Sequence, residues 1–318
     1  MTKCKICNSR TKIWYNDLFD DRHGYPGRFD VLKCTRCGFA QTDPQIPAKE
    51  ISKLYEDYYP RRNIKTNNIN LKDHIAPNKI TTWRKGLYIN SHYSIPRKPK
   101  YKVLDIGSGV GYSLLELKNL GHEVHGLDPD STGQKVAKRN SIPFHYGFIE
   151  DKPFKDLKFD YITASQVLEH TNDPLRFLKE CRKRLQKNGK IIISFPNRDS
   201  LTRKLLKKQW LHWHIPYHLN HFNKESIYLL AGKSKLTVDS LKTETPNMWT
   251  NLQIRRLLQT PEEGVRDNFW DGGNNPSRSP VSSWMNRINY FLEEYNYFNR
   301  VIDYLGEGES FVVTLQKN

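Results

Sequence analysis

The stretch Val103-Leu104-Asp105-Ile106-Gly107-Ser108-Gly109-Val110-Gly111 decides how this chain is read. Its first residues continue a strand-like run from Lys102, and a helical pattern over 113–120 follows at once. A strand that breaks into closely spaced glycines and then a helix brings backbone close to a ligand. Glycine has no Cβ and tolerates positive φ, and the helix N-terminus offers unpaired amides. A dinucleotide-binding turn asks for G-x-G-x-x-G. The spacing here is G-x-G-x-G, and Asp105 stands two residues before the first glycine. A pyrophosphate has no use for a carboxylate so near, whereas a ligand carrying an amino group gains from one.

Working outward, short apolar segments at 102–106, 123–127, 159–164 and 190–195 alternate with amphipathic ones at 113–120, 132–140 and 174–186. That alternation predicts a parallel sheet covered by helices on both faces. Gly121 ends the first helix. Asp173 caps the later one, with Pro174 at its first position, and Asn188-Gly189 closes it and launches the next strand. Asp128 falls at the end of the second strand. Residues 236–241 and 310–315 read as a final antiparallel pair. The long segment between them, about 245–308, includes an irregular stretch at 271–276 and an aromatic helix at 284–297. It reads as a lid over the acceptor or as surface helices packed on the sheet.

Cys4 and Cys7 form one C-x2-C pair and Cys34 and Cys37 another. Two such knuckles complete the tetrahedral shell of a closed zinc site. A redox dithiol would need only one pair. The turn residues Gly24-Tyr25-Pro26-Gly27 separate strand-like segments at 12–15 and 29–33, which suggests a zinc ribbon hairpin. Four ligands leave no open position, so this metal is expected to be structural. Cys181 sits in a helical pattern beside Leu178 and Leu185 and reads as core.

The chain carries 51 Lys and Arg against 34 Asp and Glu, a net charge of +17. The excess suits anionic partners or a solvated surface, since the basic residues are spread along the chain. No window reaches the roughly 18 apolar residues of a spanning helix, and no apolar leader precedes Cys4, so a cytoplasmic protein is expected. Peripheral contact with an anionic membrane face stays open.

The first motif, together with Phe159-Asp160-Tyr161-Ile162, Gln166-Val167-Leu168-Glu169-His170, Asp173-Pro174 and Asn188-Gly189-Lys190-Ile191-Ile192-Ile193-Ser194-Phe195-Pro196-Asn197, resembles class I S-adenosylmethionine-dependent methyltransferases over roughly residues 100–200. The resemblance implies a Rossmann-like α/β fold, a seven-stranded sheet with its last strand antiparallel, preceded by the small zinc ribbon. It divides the chain into a ribbon at 1–46, a helical connector with Tyr55, Tyr58, Tyr59 and Trp83 at 47–98, and a methyltransferase domain at 99–318. It places S-adenosylmethionine on Asp105, Gly107, Ser108, Gly109 and Gly111, on Asp128 and Pro129 for the ribose, on Phe148 and Ile149 for the adenine, and on Ser165, Gln166 and His170. Phe148 departs from the pattern, since many relatives carry an acid there. Asp128 has a second reading as a helix-capping acid.

After the fifth strand, Trp210-Leu211-His212-Trp213-His214-Ile215-Pro216-Tyr217-His218-Leu219-Asn220-His221-Phe222 gathers four histidines beyond a carboxyl end of the sheet, where ligands of open α/β sheets bind. An imidazole there could take a proton from a hydroxyl acceptor. His218 is the first candidate, because Pro-x-His-Leu resembles the same region of sugar and small-molecule methyltransferases; His214 and His221 follow, with packing as the alternative for each. No acidic partner is evident in sequence for a second metal. The order of modules resembles bacterial methyltransferases of surface polysaccharides, lipopolysaccharides or nucleotide-linked sugars, which implies a phosphate-bearing sugar or other small acceptor. RNA methylation, with the ribbon as binding surface, and a non-catalytic zinc-module binding protein are the alternatives.

Overall fold

The structure, a computed structural model, describes residues 2–47, 50, 53–54, 57–59, 66, 69–267, 270 and 291–317. Tyr55, the irregular stretch 271–276 and the part of the expected aromatic helix at 284–290 lie outside the described residues.

The large sheet is built from β4 (Lys102–Ile106), β5 (Glu123–Asp128), β6 (Phe144–Tyr146), β7 (Phe159–Ser165), β8 (Leu185–Pro196), β10 (Leu236–Glu244) and β11 (Ser310–Lys317), in the order β10-β11-β8-β7-β4-β5-β6. Strands β4 to β8 pair in parallel, and β11 runs antiparallel between β8 and β10. This is the α/β fold expected from the alternation of strands and helices.

Two-residue periodicity sends successive side chains of a strand to opposite faces. Leu104, Ile106, Ile162, Ala164, Ile191 and Ile193 form one face, under α4 (Pro174–Arg184) and α6 (Lys224–Lys233), with Cys181 fully buried among them. Val103, Val124, Ile192 and Val312 form the other, under α2 (Tyr112–Asn119) and α3 (Thr132–Arg139). Burying each large aliphatic side chain is worth about 1.5–3 kcal/mol.

Asp173 caps α4 by accepting from the Arg176 amide, and Pro174 occupies the first turn, as expected. The end of that helix differs from the expectation. It stops at Arg184, and Leu185, fully buried, already pairs with Phe159. Asn188-Gly189 lies inside β8, where the ladder slips between the Phe159 and Tyr161 pairs. Sheet pairing and burial of Leu185 outweigh the Asn-Gly stop signal. A Cβ on Gly189 would stand 2.8 Å from the Phe159 carbonyl oxygen, so close approach of strand backbones explains the glycine.

The N-terminal sheet orders β1 (Thr11–Leu18), β2 (Phe29–Cys34), β3 (Ala40–Asp43) and β9 (Asn220–His221), all antiparallel. Its fourth strand comes from the histidine-rich segment after β8, through the pairs Ala40–His221 and Gln41–Asn220. Cys4, Ile6, Cys34 and Phe39 join the core of the large sheet beside Phe195 and Phe222. Leu18, Phe29, Val31 and Ala40 pack instead on Trp210, Trp213, Ile215 and Tyr217.

Between β3 and β4 in the chain come α1 (Lys79–Lys85) and 3-10 turns at Leu71–Asp73, Leu87–Ile89 and Ser91–Ser94; α5 (Leu201–Leu206) follows β8. From the insertion, α7 (Asn247–Leu257) and α8 (Tyr297–Tyr304) are described. Arg300 ties α8 to the connector through the Trp83 carbonyl and to Glu244 at 3.0 Å, and Arg256 of α7 pairs with Asp21 of the N-terminal segment.

Candidate functional site

At the carboxyl end of β4 the chain reverses through Gly107, Gly109 and Gly111, whose φ values are +73°, +54° and +93°. These lie where only glycine is unstrained. A Cβ on Gly107 would stand 2.3 Å from Val167 Cγ2, so this turn and the segment after β7 close on each other. The amides of Gly107 and Ser108 donate to the Leu127 carbonyl at 2.8 and 3.3 Å. Asp128 is buried; one carboxylate oxygen accepts from the Gly109 amide at 2.7 Å and the other from the Asp130 amide at 2.8 Å. Asp105 forms the floor, where the hydroxyls of Ser113 and Thr163 each donate to it at 2.5 Å. Burial pushes its carboxyl pKa up.

The Gly147 amide, at φ +144°, donates to the Asp128 carbonyl, which brings the next loop to the same edge. There Phe148 is 45% exposed, its amide donating to Asp151 at 2.7 Å, while Ile149 is buried and Pro129 exposed. Ser165 accepts from the Ser91 amide at 2.8 Å. The side-chain amide of Gln166 donates to Ser194 and Ser310 at 3.1 Å each, towards the ends of β8 and β11. His92, buried, lies with Nε2 2.7 Å from a Glu116 carboxylate oxygen on α2. Ser91 and His92 close this region from the connector, and no motif in the sequence marked them.

Directly after Val167, the segments 168–171 and 217–221 are stitched together. The Leu219 amide donates to the Glu169 carbonyl at 2.8 Å, and the Asn220 side-chain amide reaches the carbonyls of Leu168, Glu169 and Thr171. This brings the ligand atoms of Glu169, His170 and His218 within 4.8 Å of one another. The acidic partner that the sequence did not reveal is therefore Glu169. Its carboxylate is fully buried with neither oxygen hydrogen-bonded, and burial raises its pKa to about 8.

His218 Nδ1 lies 2.8 Å from the His212 carbonyl and His170 Nδ1 2.9 Å from that of Tyr217. A carbonyl can only accept, so each Nδ1 carries a proton, and in the neutral rings Nε2 is the lone-pair nitrogen. Burial, and then His170, push the His218 pKa well below the ordinary histidine value. His214 has positive φ, +41°, and its ring stacks on Tyr217 at 4.8 Å. The His221 ring lies 3.1 Å from the Thr42 hydroxyl and edge-on to Trp213. Of the three candidate histidines, only His218 belongs to the cluster with Glu169 and His170. His23 and Tyr59 add a wall that sequence reading missed, with rings 5.2 Å apart and against His214 and Tyr217.

The four N-terminal cysteines converge as the spacing predicted. Their sulfurs are 3.7 Å apart for Cys4–Cys37, 3.4 Å for Cys7–Cys34 and 3.5 Å for Cys7–Cys37. A tetrahedral ion with about 2.3 Å metal–sulfur bonds needs sulfurs about 3.8 Å apart. The amides of Arg36 and Cys37 turn towards Cys34 Sγ, as amides in such knuckles do.

Curated relatives match parts of the chain, two of them as follows. A ubiquinone biosynthesis O-methyltransferase of Bradyrhizobium diazoefficiens is 34% identical over 104 residues, 31% of this chain and 41% of that protein. A demethylmenaquinone methyltransferase of Renibacterium salmoninarum is 27% identical over 147 residues, 46% of this chain and 58% of that protein. The chain thus spans about half the length of the curated relatives it matches. Among solved structures, a Burkholderia thailandensis 1,6-didemethyltoxoflavin-N1-methyltransferase, determined with S-adenosylhomocysteine, is 13% identical with a TM-score of 0.45, covering 89% of this chain and 96% of that one. An Archaeoglobus fulgidus SAM-dependent methyltransferase is 19% identical with a TM-score of 0.42, covering 69% and 87%. The family model described as a methyltransferase domain matches residues 74–241, more than half of the 318 residues, and the chain belongs to that family.

Proposed function

We propose that this chain transfers the methyl group of S-adenosylmethionine to a hydroxyl oxygen of a small ring-shaped acceptor, a sugar or phosphate-bearing sugar of surface-polysaccharide metabolism. The observation that carries the reading is the convergence of Glu169, His170 and His218 just beyond Val167, the residue that closes on the glycine turn. Family membership supports the cofactor, and the relatives named as O-methyltransferases support oxygen as the accepting atom.

The cofactor supplies an already activated methyl group. The Gly107–Gly111 turn gives it close backbone approach, Asp105 and Asp128 supply carboxylates beside it, and Phe148 offers a half-exposed aromatic face for the adenine. What remains for the acceptor side is alignment and removal of one proton. His218 Nε2 is the lone-pair nitrogen suited to it, with Nδ1 held by the His212 carbonyl. Aromatic rings from His23, Tyr59, His214 and Tyr217 suit the flat face of a ring. The net charge of +17 favours an anionic one.

In this reading residues 1–46 form a ribbon with one structural zinc on Cys4, Cys7, Cys34 and Cys37. Of the connector, 47–98, Ser91 and His92 close the cofactor side, and the domain at 99–318 performs the transfer.

Labelled S-adenosylmethionine offered with nucleotide sugars, extracted lipopolysaccharide, hydroxylated aromatic rings and total RNA tests this. Label in a hydroxyl acceptor, lost at least about tenfold in His218→Ala with cofactor affinity unchanged, is the expected result. Label confined to RNA refutes it.

A further inference from the structure

We propose that Glu169, His170 and His218 form a second, divalent-cation site, separate from the four thiolates, whose ion takes the acceptor oxygen as a further ligand. The inference rests on reading this cluster as the acceptor site, and it changes the part played by His218 from proton acceptor to ligand.

Four observations carry it. One ligand atom from each of the three residues lies within 4.8 Å of the other two, and His170 Nε2 is 4.0 Å from a Glu169 oxygen. Bonds of about 2.0–2.2 Å to one ion need only small side-chain rotations from there. Secondly, Glu169 is buried with both oxygens lacking a hydrogen bond, and the nearby Asn220 amide is committed to backbone carbonyls. A buried carboxylate without a hydrogen bond is costly, and such groups are generally paired or bound to metal.

Thirdly, both histidines donate Nδ1–H to a backbone carbonyl, His212 for one and Tyr217 for the other, which aims Nε2 inward as the ligand atom. Metal-binding histidines are oriented in this way. Fourthly, the donor set is incomplete. Two imidazoles and one carboxylate suit zinc, manganese, iron or cobalt better than calcium or magnesium, and three protein ligands leave positions for an outside oxygen. A dication on one carboxylate keeps one positive charge, which an acceptor oxygen neutralises as it loses its proton.

The ion lowers the pKa of the acceptor hydroxyl, as it does for bound water. The proton passes to solvent. The oxygen forms its bond to the methyl carbon while the carbon–sulfur bond breaks, and S-adenosylhomocysteine leaves as a neutral thioether.

Cobalt(II) is the probe. Protein retaining its cysteine-bound metal is titrated with Co²⁺ by calorimetry and visible absorption. One equivalent should bind without thiolate charge-transfer absorption. Glu169→Gln, His170→Ala and His218→Ala should each weaken it at least about tenfold, with S-adenosylhomocysteine affinity unchanged in His218→Ala. Absence of this binding in the wild type, or binding undiminished in whichever of the three variants fold, overturns the proposal. Methyl transfer to a hydroxyl that survives chelation with the cysteine metal retained, but is lost in His218→Ala, overturns the cation and leaves the acceptor-site reading standing. Cobalt binding with no transfer to any hydroxyl acceptor does the reverse.

Discussion

The hydroxyl of Thr42 donates to the backbone carbonyl of His218 at 2.7 Å, tying the N-terminal sheet to the histidine that faces Glu169 and His170. The hydroxyl has one proton, so the His221 ring at 3.1 Å donates to it in turn. Thr42 is completely buried, and its amide adds a bond to the Leu219 carbonyl. The N-terminal sheet therefore holds the segment that carries His218 in place. Replacing Thr42 by Val keeps shape and removes the donor, leaving a buried carbonyl unpaired at a cost of about 1–3 kcal/mol. Thr42→Val is expected to lower kcat about tenfold with cofactor Kd unchanged, and Thr42→Ser to restore most of it. Equal losses in both variants would show that packing, not the hydrogen bond, is what matters.

Metal removal follows the same path. Cys34 and Cys37 flank the turn that leads into β3, the Cys34 amide donates to the Phe39 carbonyl at 2.7 Å, and the Phe39 ring packs on Phe222. Loosening the thiolate cluster loosens the strand that carries Thr42. Chelation, or Cys34→Ser, is expected to lower Tm by about 5 °C or more, roughly 2 kcal/mol for a chain of this size. Acceptor turnover should fall more than cofactor affinity. Scanning calorimetry and titration with S-adenosylhomocysteine check the two halves separately, and an unchanged Tm after complete metal removal contradicts the structural role.

The turn after β4 was legible because its signals are local. A strand, three glycines and a helix sit consecutively in sequence, and Asp105 and Asp128 end adjacent strands. The cluster of Glu169, His170 and His218 was only half legible. The histidines stood out by density, but fifty-one residues separate Glu169 from Asn220, and only the fold brings their segments together. Strand β9, two residues long, is too short for any periodic pattern. Ser91, His92, His23 and Thr42 belong to segments with no motif, so their contacts with the site come from tertiary packing alone. The helix end at Arg184 was misread because Asn-Gly is a strong local turn signal that sheet pairing overrode.

Gly107 offers the sharpest test of the cofactor turn. Its φ of +73° strains any other residue, and a Cβ there meets the branched, rigid side chain of Val167 at 2.3 Å. Gly107→Ala should therefore weaken S-adenosylmethionine and S-adenosylhomocysteine binding at least about tenfold, with Gly107→Val worse. Asp128→Asn, which keeps the shape but removes the charge accepting from the Gly109 and Asp130 amides, should do the same to a smaller degree. Calorimetry that finds wild-type affinity in Gly107→Val would place the cofactor elsewhere.

Buried histidines work against the fold in acid. His23, His212 and His221 each have a pKa lowered to about 3, first by burial and then by arginine, Arg22 for His23 and His212, Arg198 for His221. Their unfolded values are near 6.5. The folded state thus binds fewer protons, and the stability these rings contribute is complete above about pH 6.5 and lost as pH falls towards 3. Asp20 and Glu244, raised by burial to about 6 and about 7, work in the opposite sense, favouring the fold at low pH and losing that contribution as pH rises through those values. Glu169, raised by burial to about 8, acts in the same sense as those two carboxyls, so three rings and three carboxyls oppose one another and a single-site variant is what isolates one ring. Each fully effective histidine adds at most about 1.4 kcal/mol per pH unit. His23→Gln removes one titrating ring of comparable size. Relative to the wild type, it should lower the slope of stability against pH between 5 and 6.5 by up to one such increment while leaving the slope above pH 7 unaltered. A variant with the same slope as wild type across that window would mean that His23 is protonated in the folded protein after all, and that Arg22 and Arg266 do not exclude its charge.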